Sequence, residues 1–168
     1  REIPLCAHDR QMDLTAISAA RSECVQRISW PALFIKAYAI VAQEFPELRQ
    51  TWYVWPWAHI YQHPTSVATL TVQRELDGEP WLFWGLVRSP ETESLSAIQS
   101  LIDQFRNEPV QSIFQRQWQM AHLPTMLRRL IWWWNLKIET KKRAKRLGTF
   151  FVSTLSGLGA EIQLPPSV

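Results

Sequence analysis

Asp77-Gly78 constrains this chain more than any other feature, because it stands between two runs of strand-forming residues. Ser66 to Leu76 alternates, with Val67, Thr69 and Thr71 on one side and Ala68, Leu70 and Val72 on the other. Trp81 to Val87 is rich in aromatic and branched residues. Asp-Gly suits a tight turn, so the second run is predicted to return along the first as a hairpin.

Helical patterns flank the hairpin. Asp13 fits an N-cap, and Leu14, Ile17, Cys24, Val25 and Ile28 approximate one helical face that also carries Arg21. A second helix is predicted from Ser29, with Pro31 in its first turn, where a missing N–H costs nothing. Its apolar face is read as Leu33, Ala37, Ile40, Val41 and Phe45, and Pro46 stops it. Thr51 to Tyr61 reads as an aromatic strand that Pro56 confines to an edge, bulge or break. After the hairpin, Leu95, Ile98, Ile102 and Phe105 mark a helix ending near Pro109, and Val110 to Ala121 continues helically. Pro124 restarts a helix through Met126, Leu127, Leu130, Ile131 and Trp134. Gly148 then leads into a short strand, Thr149 to Leu155, and Gly157 and Gly159 permit a turn. The expected class is α+β, a mixed sheet flanked by helices in one domain over residues 1–168.

The 168 residues allow a sizeable core, and the longest apolar stretches fall short of a membrane span. Cys6 and Cys24 lack metal-like spacing and disulfide density, so both are read as free thiols in a cytoplasmic protein. Ten tryptophans are an excess that points to large interfaces, an aromatic cavity or a Trp-heavy core. Arg128, Arg129, Lys137, Lys141, Lys142, Arg143, Lys145 and Arg146 crowd a segment opposed only by Glu139. Such a stripe binds phosphates, nucleic acid or an anionic surface, or is simply a solvated face, which is the reading preferred from sequence. Arg1 at the start and Pro165-Pro166-Ser167-Val168 at the end lead us to expect a chain incomplete at its C-terminal end.

The order of elements resembles the chloramphenicol-acetyltransferase-like superfamily, and in particular the catalytic domain of dihydrolipoamide acyltransferases. Asp13-Leu14-Thr15-Ala16 with Arg21 resembles that family's first helix. Leu33-Phe34-Ile35-Lys36-Ala37 and Phe45-Pro46-Glu47-Leu48 resemble its second helix and the "hPEL" ending. Ser66-Val67-Ala68, Val72 and Gly78 correspond to its paired strands, and Ser94-Leu95 to the next helix. Gly148-Thr149-Phe150-Phe151-Val152-Ser153-Thr154-Leu155 with Gly159 resembles the "GTFTISNLG" strand, the most specific element. Trp132-Trp133-Trp134 and the basic run depart from the lipoate-linked enzymes, as does the lack of lipoyl and subunit-binding segments, so a stand-alone relative is expected.

The resemblance implies direct acyl transfer in a homotrimer with active sites between subunits, from an acyl-coenzyme A or acyl-carrier thioester substrate, with no bound cofactor and no metal. A histidine base takes a proton from a thiol or hydroxyl acceptor, and a hydroxyl on the Gly-Thr-Phe strand stabilises the oxyanion. Matched by position, that donor is Ser153; its alternative is a serine that merely satisfies a backbone group. The family's His-x-x-x-Asp-Gly base motif does not occur in the sequence. His8, His59, His63 and His122 are read as structural or surface histidines, and the base as lying beyond the chain or lost.

Two other readings remain. One is a trimeric scaffold without chemistry. The other is peripheral membrane or lipid contact through residues 124–146, set against internal packing of Trp132 to Trp134. Nucleic acid is not an expected partner.

Overall fold

In a computed structural model, residues 10–53, 57–76, 78–137 and 143–153 are described. The chain divides into two units, residues 1–27 with 154–168 and residues 28–153. In the first, α1 (Thr15–Ser22) is entered through Asp13, whose Oδ1 accepts from the Thr15 hydroxyl at 2.6 Å and the Thr15 N–H at 2.9 Å. The hydroxyl bond, then the backbone bond, holds the Asp13 carboxyl below its ordinary pKa. α1 ends at Ser22, and the Cys24 N–H bonds back to the Arg21 carbonyl. Cys24, Val25 and Ile28 therefore lie beyond the helix on whose face they were expected. The Cys24 thiol is free and exposed.

The second unit begins with α2 (Trp30–Glu44), flanked by Ser29 and carrying Pro31 in its first turn. Its buried residues are Pro31, Ala32, Ile35, Ala39 and Ala42, whereas Ile40, Val41 and Phe45 from the expected apolar face are exposed. The helix is apolar nearly all round, so periodicity alone does not choose a side. The alanines turn inward, where small side chains let the helix axis approach its neighbours closely. A 3₁₀ turn (Pro46–Arg49) leads to β1 (Gln50–Tyr53) and β2 (His59–Gln62), antiparallel with Gln50 opposite Gln62. The single aromatic strand expected over 51–61 is thus a separate two-stranded sheet; Pro56 lies outside the described residues.

The predicted hairpin is β3 (Val67–Leu76) with β4 (Glu79–Arg88), paired from Val67 opposite Arg88 to Leu76 opposite Glu79. Gly78 takes φ +81°, the left-handed value expected of this turn. α3 (Leu95–Asn107) is capped by Ser94, whose Oγ accepts from the Ala97 N–H at 3.1 Å. At its other end Arg74 Nη1 reaches from β3 to donate to the Phe105 carbonyl at 2.8 Å. The helix expected over 110–121 is two pieces, α4 (Val110–Ile113) and α5 (Gln115–Ala121). The break falls at Phe114, whose buried ring lies 4.9 Å from Phe83 and 5.8 Å from Phe105. α6 (Thr125–Lys137), α7 (Arg143–Leu147) and β5 (Phe150–Val152) complete the described residues.

β5 pairs parallel to β3, giving the sheet order β4-β3-β5. The protein is α+β, with small mixed sheets and flanking helices. Ala68, Leu70, Val72, Phe83, Val87 and Phe150 pack with Ile35, Ile98, Ile102 and Phe105 in one core. The free side of β4 is occupied by a side chain: Gln117 on α5 accepts from the Trp84 N–H at 3.0 Å and donates to the Trp84 carbonyl at 2.8 Å. This amide imitates a neighbouring strand and blunts an exposed edge.

Gly85 on β4 faces the Phe105 ring so closely that a Cβ would overlap it. Gly85→Ala is expected to destabilise the fold by about 1–3 kcal/mol through overpacking. Adding Phe105→Leu should return part of that loss in urea titrations of the double mutant.

Candidate functional site

Ser153, the residue matched to an oxyanion donor, follows β5 directly and is exposed. Phe150 is buried, Phe151 exposed and Val152 half-buried, so the strand alternation carries Ser153 to the side of Phe151.

The position of that strand is set just upstream. α7 ends at Leu147, and Gly148 takes φ +77° while its N–H donates to the Ala144 carbonyl at 2.8 Å. A Cβ at Gly148 would strike the Thr69 hydroxyl and the Val67 carbonyl, so both the backbone angle and the space require glycine. Thr69 Oγ1 donates to the Leu147 carbonyl at 2.8 Å. The Thr149 N–H donates to the Val67 carbonyl at 2.7 Å, and Thr149 Oγ1 accepts from the Val67 N–H at 3.0 Å. Two hydroxyls thus clip the chain to β3 before the ladder begins. Phe150 then lies under the Tyr38 ring of α2, with centroids 4.2 Å apart, and burial pushes the Tyr38 hydroxyl pKa up.

The Gly-Thr-Phe motif therefore has an architectural role that sequence did not reveal. The signal was a threonine on each side of the junction, but their contact spans the interval from residue 69 to 147. Lys36 was matched only as part of the α2 motif. Its Nζ donates to the carbonyls of Pro90 (3.1 Å), Glu91 (2.8 Å) and Glu93 (2.7 Å), holding the β4–α3 link against α2. A lysine spaced with Ala32, Ile35 and Ala39 on the buried side of a helix was the available clue. In the same link Glu91 Oε1 accepts from the Ser66 N–H at 3.1 Å.

The described histidines have other partners than Ser153. His59 Nδ1 donates to the Trp57 carbonyl at 2.7 Å, and His122 Nδ1 to the Trp118 carbonyl at 2.8 Å. His63 is buried after β2, with Nε2 3.3 Å from Thr51 Oγ1 and its ring edge-on to Tyr61 at 4.9 Å. Its N–H donates to the Arg49 carbonyl at 3.0 Å. His8 lies outside the described residues, as do Cys6, Thr154, Gly157 and Gly159. Among the described residues no group of three His, Cys, Asp or Glu side chains is placed to hold a metal ion. A pinned strand ending in an exposed hydroxyl can present one hydrogen-bond donor from a fixed point. No family model matches the chain, and no curated protein is significantly similar to it.

Two measurements check this description. Thr149→Val leaves the Val67 N–H without its partner and should cost about 1–3 kcal/mol in unfolding experiments, the range for a stranded buried donor. Burial, and then the nearby Arg143 charge, lowers the His63 pKa below 6.5. The unfolded chain consequently binds this proton more readily. Stability should be full above about pH 6.5 and fall as pH drops through the unfolded and then the folded value. Thermal melts of His63→Gln should show a weaker acid dependence over that window.

Proposed function

We propose that the protein is an acyltransferase of the chloramphenicol-acetyltransferase-like fold, related to the catalytic domain of dihydrolipoamide acyltransferases. It moves an acyl group from a coenzyme A or carrier-bound thioester to a thiol or hydroxyl acceptor. The observation that carries this reading is Ser153, exposed at the end of a short strand that Gly148 and Thr149 pin to the sheet. Rigid placement is what an oxyanion donor needs, since it must be aimed before charge develops.

In the reaction, a histidine base removes the acceptor proton as the acceptor's electron pair forms a bond to the thioester carbon. The carbonyl π pair moves onto oxygen, which accepts a hydrogen bond from Ser153 Oγ. Collapse of the tetrahedral species expels the donor thiolate, which takes up the proton from the imidazolium. The acyl group passes directly, with no covalent enzyme intermediate, bound cofactor or metal. No histidine in these 168 residues stands four before an Asp-Gly pair, so this reading takes the base from a His-x-x-x-Asp-Gly segment outside them.

Assembly as a homotrimer, with the site between subunits, draws support from the outer side of α2. Ile40, Val41 and Phe45 are exposed there, and the one cation within α2, Lys36, is held by the β4–α3 link, leaving a surface suited to a second copy. The same surface favours a second reading, a trimeric scaffold of this fold without chemistry. The cytoplasmic location expected from the cysteine usage is part of this proposal. No described helix is long and apolar enough to cross a membrane.

Ser153→Ala separates these readings. In protein carrying the base, turnover at saturating acyl donor should fall about 10²-fold or more, as for loss of one oxyanion donor, with the melting temperature unchanged. Unchanged turnover in the folded variant would assign the hydroxyl to structure. A stable trimer with no thiol release from any acyl-coenzyme A would favour the scaffold.

A further inference from the structure

The internal packing expected of Trp132 to Trp134 holds for one of the three rings. Trp132 is half-buried, its ring edge-on to Trp84 of β4 at 6.3 Å. Trp133 and Trp134 are exposed, together with Met126, Leu127 and Leu130, at 48 to 81% of their accessible area. At 3.6 residues per turn these five residues fall within roughly 120° of the α6 circumference. They form one apolar stripe along the outside of a helix whose other side, at Ile131 and Trp132, meets the protein.

Along the sequence the charge of this stretch is one-sided. Between Glu108 and Glu161 the sequence has a single acidic residue, Glu139. Arg116, Arg128, Arg129, Lys137, Lys141, Lys142, Arg143, Lys145 and Arg146 fall in the same interval. Arg129 is exposed at the border of the stripe, and Lys145 is exposed on α7. We infer that α6 is an interfacial helix that lies flat on an anionic phospholipid surface, its Met, Leu and Trp side chains in the headgroup–acyl boundary and the Arg129 guanidinium at its border against lipid phosphates.

Charge complementarity selects this occupant. The core of a protein–protein interface is depleted of charge, and a second copy would bring the same cations against these. A bilayer surface supplies anions around an apolar layer, and indole is suited to that boundary because it buries a large ring while keeping an N–H to donate. On α2 the one cation, Lys36, is taken up by the β4–α3 link, which is why its exposed side was assigned above to self-association. α6 has 13 residues, about 20 Å of helix, too short to span and long enough to lie along the surface.

The test is sedimentation of the full chain with vesicles, followed by tryptophan quenching from brominated acyl chains. Vesicles with about one-third phosphatidylserine should bind at least about tenfold more tightly than pure phosphatidylcholine, with affinity falling as salt rises. Trp133→Gln with Trp134→Gln should weaken binding about tenfold or more at an unchanged melting temperature. If that pair fails to fold, Met126→Gln with Leu130→Gln probes the same stripe at exposed positions. No binding to anionic vesicles at low salt overturns the proposal, as does binding indifferent to both pairs. Oligomers that the stripe variants dissociate, in a protein that ignores vesicles, would give the stripe to a second copy and also overturn it. None of these outcomes bears on acyl transfer, which the Ser153 experiment reads separately.

Discussion

The unit spanning residues 28–153 is organised around β3, hydrogen-bonded on both sides, antiparallel to β4 and parallel to β5. Double pairing covers Ala68 to Leu70, which have no free edge, and the first four residues of the strand, Val67 to Leu70, are all buried. A strand covered in this way must meet something on each face. α2 and α3 supply apolar residues to one, and the α7–β5 junction supplies the hydroxyl of Thr149 and the carbonyl of Leu147 near the other. Thr69 is fully buried and keeps its hydroxyl bonded only because Gly148 leaves room beside it. The glycine, the two threonines and the strand therefore stand or fall together.

How much of this was legible depended on the range of the interaction. The hairpin could be read because its cause is local: two strand-forming runs and a turn that tolerates positive φ. The Pro31 start is local in the same sense. The buried side of α2 was not legible, because a helix apolar on most of its circumference takes its orientation from what it packs against. Phe114 breaks its helix to place a ring between Phe83 and Phe105, a demand made by residues distant in sequence.

The candidate site divides along the same line. The motif ending at Ser153 stood out in the sequence, but the clip that fixes it joins residues about eighty apart and leaves no pattern in a linear reading. The tryptophan triplet is more instructive. Three identical residues in a row on a helix point in three directions, so no single fate was available to them. Trp132 went to the sheet; Trp133 and Trp134 did not.

Lys36 bears on a protein proposed to handle thioesters. Amines are the standing side reaction in such chemistry, because a lysine with a free electron pair attacks the same carbon as the intended acceptor. Lys36 spends all three of its N–H groups on carbonyl oxygens that can only accept. To reach a thioester it would have to abandon those oxygens and release the β4–α3 link. The geometry is also specific to an ammonium, whose donors diverge from one point, whereas a guanidinium presents its donors in a flat fork. The contact that fastens the β4–α3 link to α2 thereby makes this amine a poor target for stray acylation.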